Sequence, residues 1–551
     1  MLLRSLLLVV LCYQWMSPAG GATPAATVSQ RVHPVLIGND LNSLLQITVD
    51  VADPDIVATE FTFSLDGCTD LNDIDTLTLF YSGRTSPEKL DAFRRGGGTA
   101  PERHTVLTDL AGGSFGTPAV PDRQVTFRGK QRLRKGTNIF WLSCRLRDAA
   151  SLTNRIGASL VRMKTEIGTR TTTREFKAEA DSQLPPKRIG IALRNHYDDG
   201  VHTSRIPALS ITPAGTLLCA YDMRRREGRD LQEDIDIGLS RSTDGGQTWE
   251  PVRVIMDMGK YGGLGQELNG CSDPGLVVDR ETGEIFCTAV WMWDKAGEHQ
   301  WRGIGSEPGH EIGRSAQFLM VKSTDDGLTW SKPKNLTKQL KNPDWILLAP
   351  SPQNGLTLGD GTLVIPAQGR DENDSTFSTL ITSRDHGKTW NVGSALAKGN
   401  NECQVVELGD GSLMLNGRTT GKTRFRSVWI TRDLGNTWEP HATHRNTLIE
   451  PRCNGSLIRF DRNFGGKVDS LLLFANPHSQ KARDHHSIQV SFDEGMTWPS
   501  ENRLLLDEGR GAGYPSMAQL DERYVGIVYE GSQAQLVFEK IAIEELLEEQ
   551  P

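Results

Sequence analysis

Arg205, Arg418 and Arg483 are far apart in the sequence, yet each sits where a repeated strand pattern would end on one rim of a scaffold. A guanidinium is a planar fork of N–H donors that never loses its charge, so three of them converging make a clamp for a carboxylate or a phosphate. One such arginine alone reads as a solvated surface residue; the inference rests on their meeting. The same strand count carries Tyr514, Glu402, Asp230 and Asp273 to that rim. Taken singly, Tyr514 is an interfacial aromatic and the three acids are turn residues or partners of arginine.

The elements that must position these residues come from a repeat. The phrase S/T-x-D-x-G-x-T-W occurs five times, at Ser242–Trp249, Ser323–Trp330, Ser383–Trp390, Thr431–Trp438 and Ser491–Trp498, at intervals of 81, 60, 48 and 60 residues. Asp and Gly at that spacing make a tight turn: the carboxylate accepts from nearby backbone N–H groups and the glycine takes a positive φ. The closing Thr-Trp is expected to enter a strand. A hairpin turn reused at such intervals signals a radial or solenoid array.

A second phrase, a turn followed by an apolar strand, precedes each box. It reads Ala214-Gly215-Thr216-Leu217, Thr282-Gly283-Glu284-Ile285, Asp360-Gly361-Thr362-Leu363 and Asp410-Gly411-Ser412-Leu413, is degenerate at Asp469-Ser470-Leu471, and occurs a sixth time, without a box, at Asp521–Val525. Six hairpins and five boxes predict an all-β, six-bladed β-propeller of four-stranded blades. If the first phrase joins strands 1 and 2 and the box joins strands 3 and 4, both lie on one face. Strand 1 beginnings, strand 2 ends and the 2–3 loops then open on the other. From the first turn to the box Asp is 24, 22 and 23 residues in the third to fifth units, but 29 and 42 in the first two. The surplus falls in the 2–3 loops around Arg224–Asp234 and Trp291–Arg314, and long loops on a rigid scaffold are where function collects.

The rest of the chain bounds the reading. Met1–Ala22 has a basic n-region at Arg4, an apolar run Leu6–Leu11 and a small-residue site Gly20-Gly21-Ala22, the pattern of a secretory signal too short to span a membrane. A secreted or periplasmic protein is expected. Residues 23–182 lack both repeats and show short strand-like runs such as Leu45–Val49 and Ile139–Leu142, which predict a small β-sandwich. Residues 183–189 read as a linker and 190–545 as the propeller. Beyond the signal there are seven cysteines and no C-x-x-C pair, so no zinc site is expected. The odd, scattered set reads as small buried apolar residues, with one or two disulfides open after export. A net charge of −8 argues against a nucleic-acid partner, so an anionic ligand must be met by a local cluster of arginines.

With the residues placed, the chain resembles the bacterial exo-α-sialidases (neuraminidases). The boxes, the Arg205-Ile206-Pro207 phrase and the interval of 16 from Glu402 to Arg418 carry the likeness over residues 187–545, and the N-terminal part resembles a sialidase N-terminal module. The resemblance implies an arginine triad, Arg205, Arg418 and Arg483, that holds the substrate carboxylate. It implies a Tyr514/Glu402 nucleophile couple and Asp230 as acid/base, 25 residues after Arg205. It makes Arg224 and Asp273 pocket residues, and Glu530 the acid that orients Arg205. The substrate would be a sialylated glycan or glycoconjugate, hydrolysed without cofactor or metal. Trp291 and Trp293 either line the aglycone or N-acyl side of such a site or pack in the core. The boxes hold the fold together on this reading and stay out of the chemistry. A trans-sialidase, a non-catalytic sialoglycan-binding propeller and a hydrolase of deaminoneuraminic acid remain the alternatives.

Overall fold

A computed structural model of the chain describes residues 24–52, 55–83, 113–176, 184–231, 233–292, 301, 305–394, 396–464 and 467–547. The expected signal Met1–Ala22, Trp293 and parts of the linker and of the Trp291–Arg314 segment lie outside the described residues. The chain divides into two compact units, Met1–Ile191 and Ala192–Pro551.

In the first unit, Ala25–Ser29, Asn42–Val51, Gly136–Leu146, Ile74–Gly83 and Gly113–Ser114 form one sheet in that spatial order. Arg170–Glu175, Ser159–Ile167, Ile56–Ser64 and Gln124–Arg132 form another. Phe140 of the first sheet and Phe61 of the second meet with ring centroids 4.7 Å apart, so the two apolar faces pack as a β-sandwich.

The second unit is a β-propeller, built from successive antiparallel sheets. The first comprises Thr203–Ile211, Leu217–Arg224, Ile235–Ser242 and Arg253–Met256. Cys271–Val278, Ile285–Trp291 and Gln317–Ser323 lead the second, and Leu347–Pro350, Leu363–Arg370 and Thr376–Ser383 the third. Asn400–Glu407, Leu413–Thr419 and Ser427–Thr431 belong to the fourth, and Ser456–Phe464, Lys467–Pro477 and His486–Ser491 to the fifth. Pro515–Gln519, Tyr524–Tyr529 and Leu536–Ala542 pair in the last. Every residue of Leu217–Arg224, Ile235–Ser242 and Cys271–Val278 is buried, because each sheet has a neighbour on both faces. Residues 217–221 accordingly read as a continuous apolar run.

The boxes are built as their composition dictates. In the second copy the Ser323 hydroxyl donates to Asp325 Oδ1 at 2.8 Å, and Asp325 accepts from the Thr329 N–H at 2.9 Å and from the Thr329 hydroxyl at 2.5 Å. The glycine of each box faces the preceding sheet. A Cβ on Gly327 would lie 2.9 Å from Leu218, on Gly387 2.2 Å from Phe286, and on Gly495 2.8 Å from Met414. On Gly246 of the first sheet it would lie 2.2 Å from Phe538 of the last, so the pattern of box-on-sheet contacts closes on itself. The box residue before the glycine reaches across as well: Asp326 accepts from Thr212 and Thr216, both at 2.6 Å, in the first sheet's own turn. One detail differs from expectation. The closing tryptophan is not itself in a strand; Trp249, Trp330 and Trp498 fold back so that each indole N–H donates to its box glycine carbonyl at 3.1, 3.1 and 3.2 Å. Satisfying that donor locally is cheaper than extending the strand.

Six of the seven described cysteines are buried, and all seven are free thiols. Among the described residues no helix is long and apolar enough to cross a membrane.

Two outcomes follow from the boxes. Gly387 has φ +75° and no room for a Cβ, whereas Gly411 has φ +79° and open space. Gly411→Ala should therefore cost about 1 kcal/mol for its backbone alone, and Gly387→Ala at least about 2 kcal/mol more, in denaturant unfolding. Hydrogen bonds from Thr389 and Ser383 hold the Asp385 carboxyl at about 2, below its ordinary value. A depressed folded-state pKa gives stability that is present above about pH 4 and lost as pH falls toward 2. The stability gap between wild type and Asp385→Asn should be constant at neutral pH and close over that window.

Candidate active site

A cavity of about 540 Å³ opens at the strand ends opposite the boxes, lined by Arg205, Arg418, Arg483, Tyr514, Glu402, Asp230 and Asp273 among others. Its volume suits a compact ligand. Seven of the nine residues singled out in the sequence thus meet in one place; Arg224 and Glu530 are fully buried behind it.

The inner strands bring them there by a shared irregularity. Pairing of the first two strands is broken between Arg205 and Ala208, between Ser272 and Gly275, and between Asn400 and Cys403. These bulges turn Asp273 and Glu402 out of the ladder, while Arg205, still paired with Asp222, stands at the edge of the first. Ile206 and Asp273 have φ of 57° and 60°, and each is followed by a proline, which has no N–H to give to the ladder. A β-branched residue in that region is strained by about 1–3 kcal/mol and persists only where its surroundings impose it. Here Glu530 imposes it, accepting the Ile206 N–H at 2.9 Å.

Glu530 also grips Arg205 with both oxygens, from Nε at 2.9 Å and Nη2 at 3.2 Å, and accepts the Tyr514 N–H at 3.0 Å. One buried carboxylate therefore fixes the first arginine, the strained bulge and the backbone of the tyrosine. Burial opposes its charge, but Arg205 and the two backbone donors outweigh that and hold its pKa below the usual range. For Arg205, burial works against the cation; Glu530 and Asp230 more than compensate and raise its pKa.

Tyr514 is the centre. Its ring lies 5.6 Å from the Arg205 guanidinium carbon and 5.4 Å from that of Arg483. Its hydroxyl donates to Glu402 Oε1 at 2.5 Å and accepts from Arg418 Nη1 at 2.8 Å. Arg418 Nη1 also lies 2.9 and 2.8 Å from the two Glu402 oxygens. Burial, then the Glu402 charge, push the phenol well above its ordinary pKa while Arg418 and Arg483 pull it down. At rest it is a neutral phenol with a base in contact. Arg483 bonds only to the carbonyls of Ala512 at 2.7 Å and Arg452 at 3.2 Å, with no carboxylate partner among the described residues. Its charge is left for a ligand.

Asp230 stands on the cavity wall with its side chain 36% exposed, 3.3 Å from Arg205 and 2.7 Å from Arg224. Asp273 is the converse: burial, then Asp222, Glu402 and Asp230, push its carboxyl well above the usual range. Arg224 pairs with Asp222 at 2.9 Å, and Asp222 also accepts from Ser272 at 2.6 Å and the Asp273 N–H at 3.1 Å. That acid ties the first sheet to the second behind the site.

Several of these residues escaped the sequence reading. Asp222 is one; its signal was an acid inside the apolar run Leu217–Met223, two residues from Arg224 and so on the same strand face. The fully buried Arg426–Glu450 pair is another, with Glu450 accepting from the Thr419 N–H and hydroxyl beside Arg418. Trp291 packs in the core, its indole donating to Asn269 at 2.7 Å, whereas Trp301 lines the cavity. The prolines after Ile206 and Asp273 were the available sign of the bulges. Among the described residues no group of three or more His, Cys, Asp or Glu is placed to hold a metal ion.

Residues 24–167 match the N-terminal domain of BNR-repeat neuraminidase, and residues 215–527 match the BNR repeat-like domain. A sialidase of Bacteroides fragilis (strain YCH46) is 34% identical over 547 residues, 98% of this chain and 99% of that one. A sialidase of Micromonospora viridifaciens is 33% identical over 60% of this chain and 50% of its own. Among solved structures, the Hadza microbial sialidase Hz136 is 36% identical, with a TM-score of 0.84 over 94% of this chain and 99% of that one. With the repeats, the N-terminal domain and near full-length similarity all in agreement, the chain belongs to the BNR-repeat sialidases, or neuraminidases, a family of glycoside hydrolases.

Proposed function

We propose that the protein is an exo-α-sialidase that hydrolyses terminal sialic acid from glycoconjugates with retention, through a covalent tyrosyl–glycosyl intermediate. The observation that carries this reading is the gathering of three guanidinium groups round one buried phenol that is hydrogen-bonded to a carboxylate.

Sialic acid bears a carboxylate on its anomeric carbon. An Asp or Glu nucleophile would approach that carbon against the substrate's own charge; a neutral phenol does not, and sialidases are the recognised tyrosine exception among glycosidases. Arg205, Arg418 and Arg483 take the carboxylate and fix the ring. Tyr514 Oη attacks the anomeric carbon as its proton passes to Glu402, 2.5 Å away. Asp230, on the exposed wall, protonates the departing glycosidic oxygen. In the second half, Asp230 takes a proton from water, the hydroxyl oxygen bonds to the anomeric carbon, and Tyr514 leaves, recovering its proton from Glu402. Two inversions give net retention. Asp273, whose carboxyl pKa is pushed upward by burial and neighbouring acids, lines the same cavity and faces the bound sugar.

The same reading takes the six sheets as six blades, residues 23–182 as a separate sandwich domain, 183–189 as linker and 190–545 as propeller. With Met1–Ala22 as an export signal, the enzyme works outside the cytoplasm, secreted or periplasmic.

Tyr514→Phe should lower kcat on a fluorogenic sialoside by on the order of 10³ or more. A 2,3-difluorosialic acid should label the peptide holding Tyr514 in the wild type only, adding the reagent's mass less HF as the 2-fluoride leaves, and proton NMR should show the α-anomer as first product. Wild-type turnover by the Phe variant, or β-anomer first, would sink the mechanism. Glu530→Gln leaves Arg205 without its buried partner; we expect a loss of about 3 kcal/mol in unfolding free energy together with a raised KM.

A further inference from the structure

We infer that Glu233 is a positioning residue for the acid/base step: it ties the exposed leg of the loop that carries Asp230 to the buried leg, and so sets where Asp230 presents its proton. This rests on the reading of Asp230 as the group that protonates the departing oxygen.

Asp230 stands between two unlike stretches of chain. Residues 226–229 before it are all exposed, whereas Leu231 and Glu233 after it are 0% and 3% exposed. The buried leg is wedged in place. Leu231 packs in an apolar cluster with Ile235, Val290 and Leu347. Just before the second sheet, a Cβ on Gly270 would lie 2.7 Å from the Glu233 carbonyl oxygen and 2.8 Å from Leu231, so a glycine is needed for so close an approach. The Asp234 carbonyl accepts from the Arg225 N–H at 3.0 Å and closes the base of the loop.

The exposed leg lacks that burial, and polar side chains hold it instead. Glu233 Oε2 accepts from the Arg226 N–H at 3.2 Å and from the Glu227 N–H at 3.0 Å, and Oε1 lies 3.2 Å from the latter. Arg224 Nη1 donates to the Gly228 carbonyl at 2.9 Å and lies 2.7 Å from Asp230. Arg226 also donates to the Glu267 carbonyl. Arg224 thus grips the acid itself, while Glu233 fixes the two peptides from which the exposed leg sets out. A carboxylate suits that task because it only accepts, and its oxygens can serve consecutive N–H groups. Burial, and to a lesser degree the Glu227 charge, push the Glu233 carboxyl up to about 7, although the two N–H groups and Arg224 pull it down. A carboxyl kept in so unfavourable a place, three residues from a reacting group, points to a role in the reaction beyond capping a loop. Displacing a reacting group by about 1 Å can cost on the order of 100-fold in rate.

The test reads Asp230 through the leaving group. 4-Nitrophenolate departs without a proton, whereas lactose must receive one, so a misplaced acid slows sialyllactose more than a 4-nitrophenyl sialoside. In Glu233→Ala, kcat/KM for sialyllactose relative to that for the 4-nitrophenyl sialoside should fall about tenfold. That ratio cancels the amount of folded enzyme, so a loss of stability alone does not move it. Glu233→Gln keeps one oxygen for both N–H groups and should restore most of the ratio. Glu233→Asp, one methylene short, should lower it, and it carries the test if the Ala variant does not fold. With an active wild type, an unchanged ratio in the Ala and Asp variants would overturn the inference, as would a Gln variant as impaired as Ala. A wild type inactive on both substrates would instead overturn the hydrolase reading, and this inference with it.

Discussion

Three guanidinium groups gathered round a single phenol, two beside its ring and one on its hydroxyl, repel one another, and burial weakens the screening of that repulsion. The site exists because acids offset this from behind and beside. Glu530 holds Arg205 with both oxygens, Glu402 holds Arg418, and Arg483 rests on two carbonyls. Arg483 is thus the least compensated of the three, and the cavity keeps a positive charge for an anionic ligand to neutralise. Glu530 matters twice, since the same carboxylate anchors the strained Ile206 and the Tyr514 backbone. Arg205 and Tyr514 are held in one frame by one buried ion.

The rest of the propeller makes such a frame affordable. Each sheet is buried on both faces, and each box glycine locks onto the preceding sheet, so the strand ends are fixed. Bulges near the start of the inner strands then turn side chains out of a ladder that would otherwise keep them in plane. Stability and chemistry are divided between the two ends of the strands: hydrogen-bonded turns at one, charge and strain at the other.

Much of the site was legible because propeller strands have a fixed sense. Once the two turn phrases set which ends share a face, Arg205, Arg418, Arg483, Glu402, Asp273 and Tyr514 fell on one rim by counting. Residues acting from behind the rim were not legible. Asp222 lies inside a run that reads as a core strand and Arg426 and Glu450 lie in connections without a motif, and a buried charge in such places shows its partner only in three dimensions. The choice between Trp291 and Trp301 was equally closed to sequence, since a long connection does not reveal which aromatic it turns inward.

The repeat, the box turns with their Asp and Gly chemistry, the strand-rich segment before them and the residues that meet at one rim were all legible in the chain. These follow from local geometry, because turn composition and strand period act over a few residues. Only the folded chain shows that Asp273 and Glu402 leave their ladders through bulges, that surroundings raise the pKa of Asp273 but lower that of Glu530, and that the Trp390 indole lacks the bond its counterparts make. Each of those depends on burial and on neighbours more than a hundred residues away, which no local pattern records.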